Sequence, residues 1–381
     1  MPHSSTYHIG LQYADKHELE LAVAENHRQL YALNTLVIGG EVFHGEGISW
    51  TNAGPRYPGI VMFPELNHEN AGAEIDRIMD HYRSHPPMDA GYWSLDPAQP
   101  ADISVKLLAR GWQTGWQSCW MAKDGAASNI NEERIEGIDI IADNSRVIDA
   151  VPGLPYSADS AYSSLQLLIQ HPERAQRFLA LQNGNIIGQC LLFFSTGPYG
   201  IAGMYNVGVI PQARRKGIGN AIVIAACNFA HEKGYRFVML NANSDGRPVY
   251  EKAGFTVTGY GSTWWLMGKN YITHKPSKEQ IGLAEAIGTG NLNALDQLLR
   301  EHRLADLHSP MTNKMSWVQL AVQFQQKEAA EWLLAQGAPW TALDAWDLGW
   351  KDRAAALLAD NREEIRRRYF EWGGTLPHIA A

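Results

Sequence analysis

The chain has 381 residues, of which 45% are apolar and 19% are charged, and its formal net charge is −8. At about 150 residues per domain, this length predicts two or three globular domains. No long Lys/Arg run is present, which excludes nucleic acid as a predicted partner because phosphate binding needs a basic face. The longest apolar run, 221–227, is far too short to span a bilayer, so no membrane association is predicted.

The three cysteines, Cys119, Cys190 and Cys227, have the spacing of neither a metal knuckle nor a disulfide framework. Cys190 and Cys227 lie in apolar runs, which predicts buried thiols that behave as small hydrophobic residues. Residues 1–10 are polar and lack an apolar signal core. These features predict a protein of the reducing cytoplasm that uses no metal.

The first zone, residues 7–123, mixes helices and strands. Apolar residues at helical spacing predict a first helix over 18–33, and compact apolar runs predict buried strands. The further elements expected here are helices over 70–84 and 101–110 and strands over 59–63, 90–95 and 112–122. The small, polar stretch 125–128 predicts a linker.

The second zone alternates strands and helices, which predicts an α/β sandwich around one mixed sheet. The dipeptide Asn183-Gly184 between two apolar runs is a strong hairpin signal. Gly234 is expected to end the helix before it in a left-handed conformation. The elements expected here are strands over 136–142, 177–181, 186–194, 202–210, 237–240, 255–257 and 263–267, and helices over 158–170, 217–232 and 248–253.

The third zone, after Pro276, is nearly all helical and contains a repeat. The pairs Leu298-Leu299 and Leu333-Leu334 are 35 residues apart, as are Ala286 and Ala321. This period is close to the ankyrin length of about 33 residues. Residues 343–360 form a third unit, and residues 374–381 resemble the ankyrin opening Thr-Pro-Leu-His-x-Ala with two residues exchanged. The zone therefore resembles an ankyrin-repeat array.

Residues 206–221 have the properties of an anion-binding cradle. A strand ends at Val209, and a basic stretch, Arg214 to Lys216, leads into a helix that opens with Gly217 and Gly219. The first N–H groups of a helix lack intrahelical partners and carry partial positive charge. Glycine removes the side chains that would keep a pyrophosphate from the backbone. The order of strand, turn and helix makes this signal stronger than a lone Gly-x-Gly.

The same segment resembles the acetyl-CoA signature of the GNAT acetyltransferases, Arg/Gln-x-x-Gly-x-Gly/Ala. Residues 240–255 resemble the final motif of that family, and two motifs in the right order are more specific than either alone. The residues that match this second motif are Asn243, Tyr250, Lys252, Gly254 and Phe255. The resemblance covers about 135 residues and implies the GNAT acyl-CoA N-acyltransferase fold, an α/β arrangement with helices flanking a mixed sheet.

The resemblance also implies roles for individual residues. The backbone of Val207 and Val209 should pair with the pantetheine amides, and the N–H groups from Arg215 to Asn220 should hold the pyrophosphate. Tyr250 should stand near the sulfur and protonate the departing thiolate, a step that suits a phenol. The implied acetyl-CoA-binding set is Val207, Gly208, Val209, Arg214, Arg215, Lys216, Gly217, Ile218, Gly219, Asn220, Asn243 and Tyr250.

The general base is open at this stage. Many relatives have a carboxylate where this chain has Tyr205-Asn206, and neither side chain is a good base at neutral pH. The amine could arrive neutral, or it could lose its proton to water held by Tyr205 or Asn206. A carboxylate from elsewhere is the third option, with Asp159, Asp245 and Glu251 as candidates.

The end of the first zone, residues 107–121, resembles the closing segment of the same fold. This implies a tandem arrangement: a degenerate GNAT-like domain over 1–125, the catalytic domain over 130–270 and the ankyrin-like domain over 277–381. No Arg-x-x-Gly-x-Gly precedes the helix at 70–84, so the first copy is not expected to bind CoA. It is expected to wall the acceptor cleft, with five tryptophans as candidate lining residues: Trp50, Trp93, Trp112, Trp116 and Trp120.

The function expected from these features is N-acetylation of a small or peptide-like cationic amine by acetyl-CoA. A cationic antibiotic suits the acidic chain, which makes resistance by acetylation one hypothesis. One alternative is a protein acceptor recruited by the helical tail. Another is a non-catalytic acyl-CoA sensor. The tail could bind a protein, mediate self-association or cover the cleft.

Overall fold

The computed structural model describes residues 10–125, 135–157, 164–301 and 304–367. Within these ranges the chain divides into two compact units, one built from residues up to 99 with 114–272, the other from 100–113 with 273 onward. The strands are β1 Glu41–Gly45, β2 Ile48–Asn52, β3 Gly59–Met62, β4 Ala90–Leu95, β5 Gln113–Asp124, β6 Ile138–Ala142, β7 Ala175–Gln182, β8 Asn185–Phe194, β9 Ala202–Val209, β10 Phe237–Ala242 and β11 Thr256–Leu266. The helices are α1 Lys16–Val37, α2 Ala71–Ser84, α3 Ile103–Ala109, α4 Leu165–Gln170, α5 Ile218–Glu232, α6 Arg247–Lys252, α7 Lys269–Thr273, α8 Lys278–Gly288, α9 Leu292–Arg300, α10 Trp317–Gln323, α11 Lys327–Ala335, α12 Ala342–Asp347 and α13 Lys351–Asp360.

The strands of the first unit form one mixed sheet in the order β1-β2-β3-β4-β11-β5-β10-β9-β8-β7-β6. The same pairing pattern occurs on both sides of its centre. Strands β1, β2 and β3 pair antiparallel and β3 then pairs parallel with β4. Strands β7, β8 and β9 pair antiparallel and β9 then pairs parallel with β10.

The two closing strands are exchanged between the halves of this sheet. Strand β5, from the first predicted domain, pairs with β10 of the second, with Cys119 opposite Ala242. Strand β11, from the second predicted domain, pairs with β4 of the first, with Leu266 opposite Ala90. The sequence predicted two short strands over 255–257 and 263–267, but β11 is one continuous strand. The predicted domain boundaries stay a prediction. Strands from the first and the second predicted domain nevertheless belong to one sheet.

Most predicted elements of the first two zones are present. At the predicted hairpin, Asn183 and Gly184 have φ of 51° and 75°, the left-handed values that a tight hairpin turn requires. Gly234 also has a positive φ, 88°, as expected for a helix end. Strands β1 and β2 were not predicted. Residues 158–163 of the predicted helix 158–170, and 126–128 of the predicted linker, lie outside the described residues.

Helix α1 packs on one face of the sheet and α5 on the other, each over its own apolar cluster. Helix α1 begins with a capping box, in which Asp15 accepts from the Glu18 N–H and Glu18 accepts from the Asp15 N–H. Its buried face also carries two amides, Asn26 and Asn34. The Asn34 amide oxygen accepts from the backbone and hydroxyl of Ser164, the residue that caps α4. A helix of the first zone therefore fixes elements of the second.

The second unit consists of helices within the described residues. Its helices α8, α10 and α12 each begin with a Ser or Thr capping box. Helix α3 belongs to this unit and packs on α8, where Arg110 and Glu285 form a salt bridge of 2.7 Å. The resemblance of this zone to ankyrin repeats stays a prediction, and its closing segment, 374–381, lies outside the described residues.

Cys119, Cys190 and Cys227 are free thiols. Cys190 and Cys227 are buried, which confirms the prediction made from their apolar surroundings. Across the described ranges, no helix is long and apolar enough to cross a membrane. In the same ranges, no three His, Cys, Asp or Glu side chains group in a way that could hold a metal ion.

Candidate active site

A gap opens between β9 and β10 in the second half of the sheet. Their parallel ladder ends at Met204 opposite Leu240. Each strand continues beyond this point on its outer side, β9 along β8 to Val209 and β10 along β5 to Ala242. We call the opening between residues 205–209 and 241–242 the splay. An extended ligand can enter such an opening and pair with strand backbone.

A β-bulge shapes the β9 side of the splay. Gln189 pairs with Gly208 and Leu191 pairs with Tyr205, so Cys190 faces two residues, Asn206 and Val207. Asn206 has a φ of 52°, in the left-handed region that asparagine tolerates better than most residues. The bulge separates Tyr205, which packs with the cluster under α1, from Val207, which packs with the cluster under α5.

The loop before α4 packs on the bulge at Gly208, its C-terminal end. A Cβ at Gly208 would lie 2.9 Å from the Pro155 ring, so only glycine fits here. The Gln189 amide donates to the Pro155 carbonyl over 2.6 Å and holds the loop in place. Gly208 therefore lets this loop pack on β9, a role that the sequence did not indicate.

The predicted anion cradle is the loop between β9 and α5. Buried Ala213 and Ile218 anchor its two ends. Gly217 is the residue before α5 and has a φ of 81°, a conformation that side-chain-bearing residues adopt only with strain. The helix therefore begins abruptly, and its first N–H groups face out of the loop.

Three cations lie beside this helix start. Arg214, Arg215 and Lys216 are exposed, and no carboxylate of the described residues forms an ion pair with them. Arg214 instead donates to the Val209 carbonyl over 3.1 Å, folding back on the strand end. Asn220, in the first turn of α5, buries its amide oxygen with no hydrogen-bond donor among the described residues. Such an atom destabilises the fold by about 1–3 kcal/mol unless a ligand supplies a donor.

Tyr250, on α6, stands next to the splay. Its ring is buried and contacts Phe255 with a centroid distance of 6.0 Å. Burial raises the pKa of its hydroxyl well above the ordinary value, and the nearby Cys190 and Tyr156 side chains raise it further. Tyr250 and Cys190 belong to the same apolar cluster under α5, and Cys190 faces the bulge of β9. Tyr250 therefore keeps its proton at neutral pH.

Asn243 follows β10, and its amide oxygen accepts from the Gly246 N–H over 2.7 Å. It thus shapes the turn into α6 in addition to any contact with a ligand. Of the candidate bases, Glu251 is paired with Arg247 on the surface at 2.8 Å, and Asp245 is exposed. Asp159 lies outside the described residues.

The five candidate tryptophans do not line one cleft. Trp93, Trp116 and Trp120 lie together over the centre of the sheet, with Trp116 half exposed. Trp50 stacks on Phe43 instead, beside His81, and Trp112 is buried in the helical unit. Of the first three, Trp120 and Trp93 are buried, so only Trp116 has an exposed ring among these five candidates.

His27 of α1 is enclosed by the same aromatic cluster. Its Nδ1 donates to the Val23 carbonyl over 2.9 Å. Burial lowers its pKa from 6.5 to about 4, so the imidazole is neutral at pH 7. The five rings with centroids 5.0 to 6.0 Å from the imidazole are Tyr31, Phe63, Trp93, Trp120 and Tyr205.

We expect His27 to make the fold sensitive to acid. Its folded pKa lies below the unfolded value, so the unfolded state binds an extra proton between pH 6.5 and about 4, and stability falls as pH decreases through that window. The loss should reach about 3 kcal/mol. Urea unfolding of wild type and His27→Phe at pH 7.5 and 4.5 measures it. An equal loss of stability in both proteins would contradict this assignment.

The part of the chain that carries this site is similar to known acetyltransferases. Residues 147–255 match the model of the acetyltransferase (GNAT) family. The match includes the splay, the start of α5 and the segment that carries Asn243 and Tyr250. A glucosamine 6-phosphate N-acetyltransferase of Trypanosoma brucei brucei is 32% identical over 76 residues, which are 19% of this chain and 52% of that protein. The chain therefore spans about half the length of this curated relative.

Two solved structures that align with this chain are both acetyltransferase-like by name. A GCN5-related N-acetyltransferase from Kribbella flavida aligns with a TM-score of 0.50 and 14% identity, over 65% of this chain and 94% of that chain. A tandem GNAT protein from the clavulanic acid biosynthesis pathway aligns with a TM-score of 0.45 and 13% identity, over 57% of this chain and 77% of that chain. The first of these similarities supports the GNAT-like α/β fold.

Asn26 is the site residue that the sequence analysis missed. It is fully buried, and its amide oxygen accepts from the Tyr205 hydroxyl over 2.6 Å. A signal was present, because Asn26 occupies the same helical stripe as Ala22 and Leu30, where an amide must find buried partners. The bond also means that Tyr205, predicted to hold a water, is held by α1.

Proposed function

We propose that the protein is an acetyl-CoA-dependent N-acetyltransferase that acetylates the primary amine of a small or peptide-like cationic acceptor. The observation that carries the proposal is the position of the splay, between an unneutralised helix start and the buried phenol of Tyr250. An acyl donor with a phosphorylated handle and an extended arm fits that arrangement.

The acetyl-CoA site would use the residues that the sequence analysis named. The first N–H groups of α5 and the three cations before it would hold the pyrophosphate. Backbone groups of Val207 and Val209 would pair with the pantetheine arm. When bound, acetyl-CoA supplies an activated acetyl thioester.

Transfer would occur directly in a ternary complex. The amine nitrogen forms a bond to the acetyl carbon, the carbon–sulfur bond breaks, and Tyr250 gives its proton to the sulfur. Burial raises the pKa of the Tyr250 phenol, and it would raise the pKa of the CoA thiol in the same dry surroundings, because each group would otherwise be a buried anion. The departing thiolate can therefore still take the proton from Tyr250.

We propose that a water molecule at the bulge takes the proton that the amine loses. The Tyr205 hydroxyl already donates to Asn26, and Glu251 is paired with Arg247, so neither is suited to act as the base. The replacement Asp159→Asn tests the carboxylate alternative. We expect it to change kcat/KM less than threefold at pH 8, measured by thiol release; a loss of about 100-fold, typical of a removed general base, would make Asp159 the base.

The net charge supports the cationic acceptor class, and the comparison with a curated protein adds one further class of amine to be tested. The chain carries a net charge of −8, which favours a cationic acceptor. The matching part of the curated relative belongs to a protein named for an amino-sugar substrate, so amino sugars belong in the acceptor panel with polyamines, aminoglycosides and peptide amines. Acetylation of an antibiotic, and hence resistance, is one form of this proposal.

The main alternative to this function is acetylation of a protein that the helical unit recruits. Truncation after Pro276 tests it poorly, because Leu108 and Ala109 would lose the helices that bury them. Replacing Trp346, which is 57% exposed on α12, preserves that core. A protein acetylase that docks there should show a higher KM for its target with Trp346→Ala and an unchanged KM for small amines.

The testing experiment measures thiol release from acetyl-CoA across the amine panel, with binding of CoA measured separately by calorimetry. We expect one amine class to give release that depends on its concentration. CoA binding without release for any amine would overturn the small-acceptor proposal and favour a protein acceptor or an acyl-CoA sensor. Absence of CoA binding would overturn the proposal entirely.

A further inference from the structure

Helix α1, which the sequence analysis assigned to a different domain, holds the strands beside the splay in place. Asn26 of α1 lies within hydrogen-bonding distance of oxygens on the loop between β8 and β9 and at the end of β8. Its Nδ2 is 2.9 Å from Ser195 Oγ, 2.9 Å from the Ile201 carbonyl and 3.2 Å from the Phe193 carbonyl. Its Oδ1 accepts from the Tyr205 hydroxyl. This one amide therefore connects both strands that form the bulge.

The surrounding backbone is shaped to admit this amide. A Cβ at Gly203 would clash with Asn26 Oδ1, so β9 has room for Asn26 only because glycine occupies that position. Asn26 is fully buried, although it reaches across from the first half of the chain. Its hydrogen-bonding groups are satisfied by the second half of the sheet, which fixes α1 at this point.

Tyr205 passes this constraint to the bulge. It is the residue immediately before Asn206, whose backbone is left-handed, and it pairs with Leu191 of β8 at the edge of the bulge. The far flank is held by Gly208 against Pro155. The near flank is held by the Tyr205 hydroxyl on Asn26. Loss of that bond removes the side-chain anchor of this flank and leaves its backbone pairing with Leu191.

We propose that Asn26 and Tyr205 are positioning residues: they hold residues 205–209 of β9, which form one side of the splay, in the place where the reacting acyl group must lie. This inference rests on the proposed acyltransferase function, and it adds that the predicted CoA-inactive segment supplies a residue on which transfer depends. Neither residue touches the start of α5. Acetyl-CoA should therefore still bind when the bond is removed, but with its acyl group less well placed.

The test compares two variants that each remove one phenol hydroxyl. Tyr205→Phe removes the bond to Asn26 and keeps the ring. Tyr235→Phe is the matched control, since its buried hydroxyl donates to the Ser195 carbonyl, on the same loop but away from the bulge. The three readouts are kcat, the affinity for CoA, and hydrogen exchange of peptides that cover residues 205–210.

We expect Tyr205→Phe to lower kcat about 10- to 100-fold, since small misplacements of reacting groups have effects of this size. Its CoA affinity should stay within threefold of wild type, and exchange over 205–210 should become faster. Tyr235→Phe should keep kcat within twofold and leave that exchange unchanged. Equal kcat and equal exchange in the two variants would overturn the inference while leaving the proposed function intact. If wild type releases no thiol with any amine, the proposed function fails, and the exchange comparison alone decides whether Tyr205 fixes the bulge.

Discussion

Tyr250→Phe should lower kcat by about 100- to 1000-fold, the range typical of a lost general acid. Stability should change by less than about 1 kcal/mol, because the Tyr250 hydroxyl has no hydrogen bond within the described residues and its removal leaves no buried partner unpaired. CoA affinity should also be unchanged. Thiol release under saturating acetyl-CoA, thermal unfolding and calorimetry measure the three quantities.

A matched variant separates Tyr250 from the other phenol nearby. Tyr156 contributes to the raised pKa of Tyr250 but is half exposed, so it is the less suitable proton donor. Tyr156→Phe should change kcat less than threefold. A larger loss in Tyr156→Phe than in Tyr250→Phe would assign the acid to the loop before α4 and remove α6 from the mechanism.

The two glycines at the start of α5 should respond to alanine in opposite ways. Gly217→Ala should destabilise the protein by about 1 kcal/mol, because its φ of 81° is strained for any side chain although space is available. Gly219→Ala should stabilise it by about 0.5–1 kcal/mol, since the new Cβ would lie 3.8 Å from Val209 and alanine favours helix. Both variants should weaken CoA binding about 10-fold or more.

The sign of the stability change identifies the cause of the lost binding. In Gly217→Ala the helix start moves, whereas in Gly219→Ala only the approach of the pyrophosphate to the backbone is blocked. Gly282→Ala is the control, because Gly282 lies in α8 and an added Cβ would meet no heavy atom within 4 Å; it should change stability as Gly219→Ala does and leave CoA binding unchanged. Normal CoA binding by Gly219→Ala would show that no ligand approaches this turn.

The local parts of the site could be predicted because they are encoded locally. The turn and helix around Gly217 and the motif that carries Tyr250 need only short stretches of sequence, and both are present in the fold. The bulge at Asn206 was not predicted, since it depends on the register between β8 and β9. The role of Gly208 was also missed, because its partner, Pro155, is distant in the sequence.

The exchange of closing strands was beyond prediction for a similar reason. Residues 107–121 and 250–267 resemble each other as local patterns, and a pattern does not say which neighbour a strand will choose. Asn26 shows the same limit, because its four partners all lie more than 160 positions away along the chain. Its burial was readable from α1, whereas its partners were not.

The position of β11 between β4 and β5 has a consequence for biosynthesis. When the ribosome has completed β5, the first half of the sheet still lacks the strand that covers β4, including Trp93. That strand begins at Thr256, 161 residues after β4 ends at Leu95. At about 5–20 residues per second, this edge stays open for roughly 8–32 seconds on the growing chain. During that interval β4 pairs with β3 on one side and presents an apolar edge without a partner on the other, so a chaperone that binds such edges should raise the yield of folded protein.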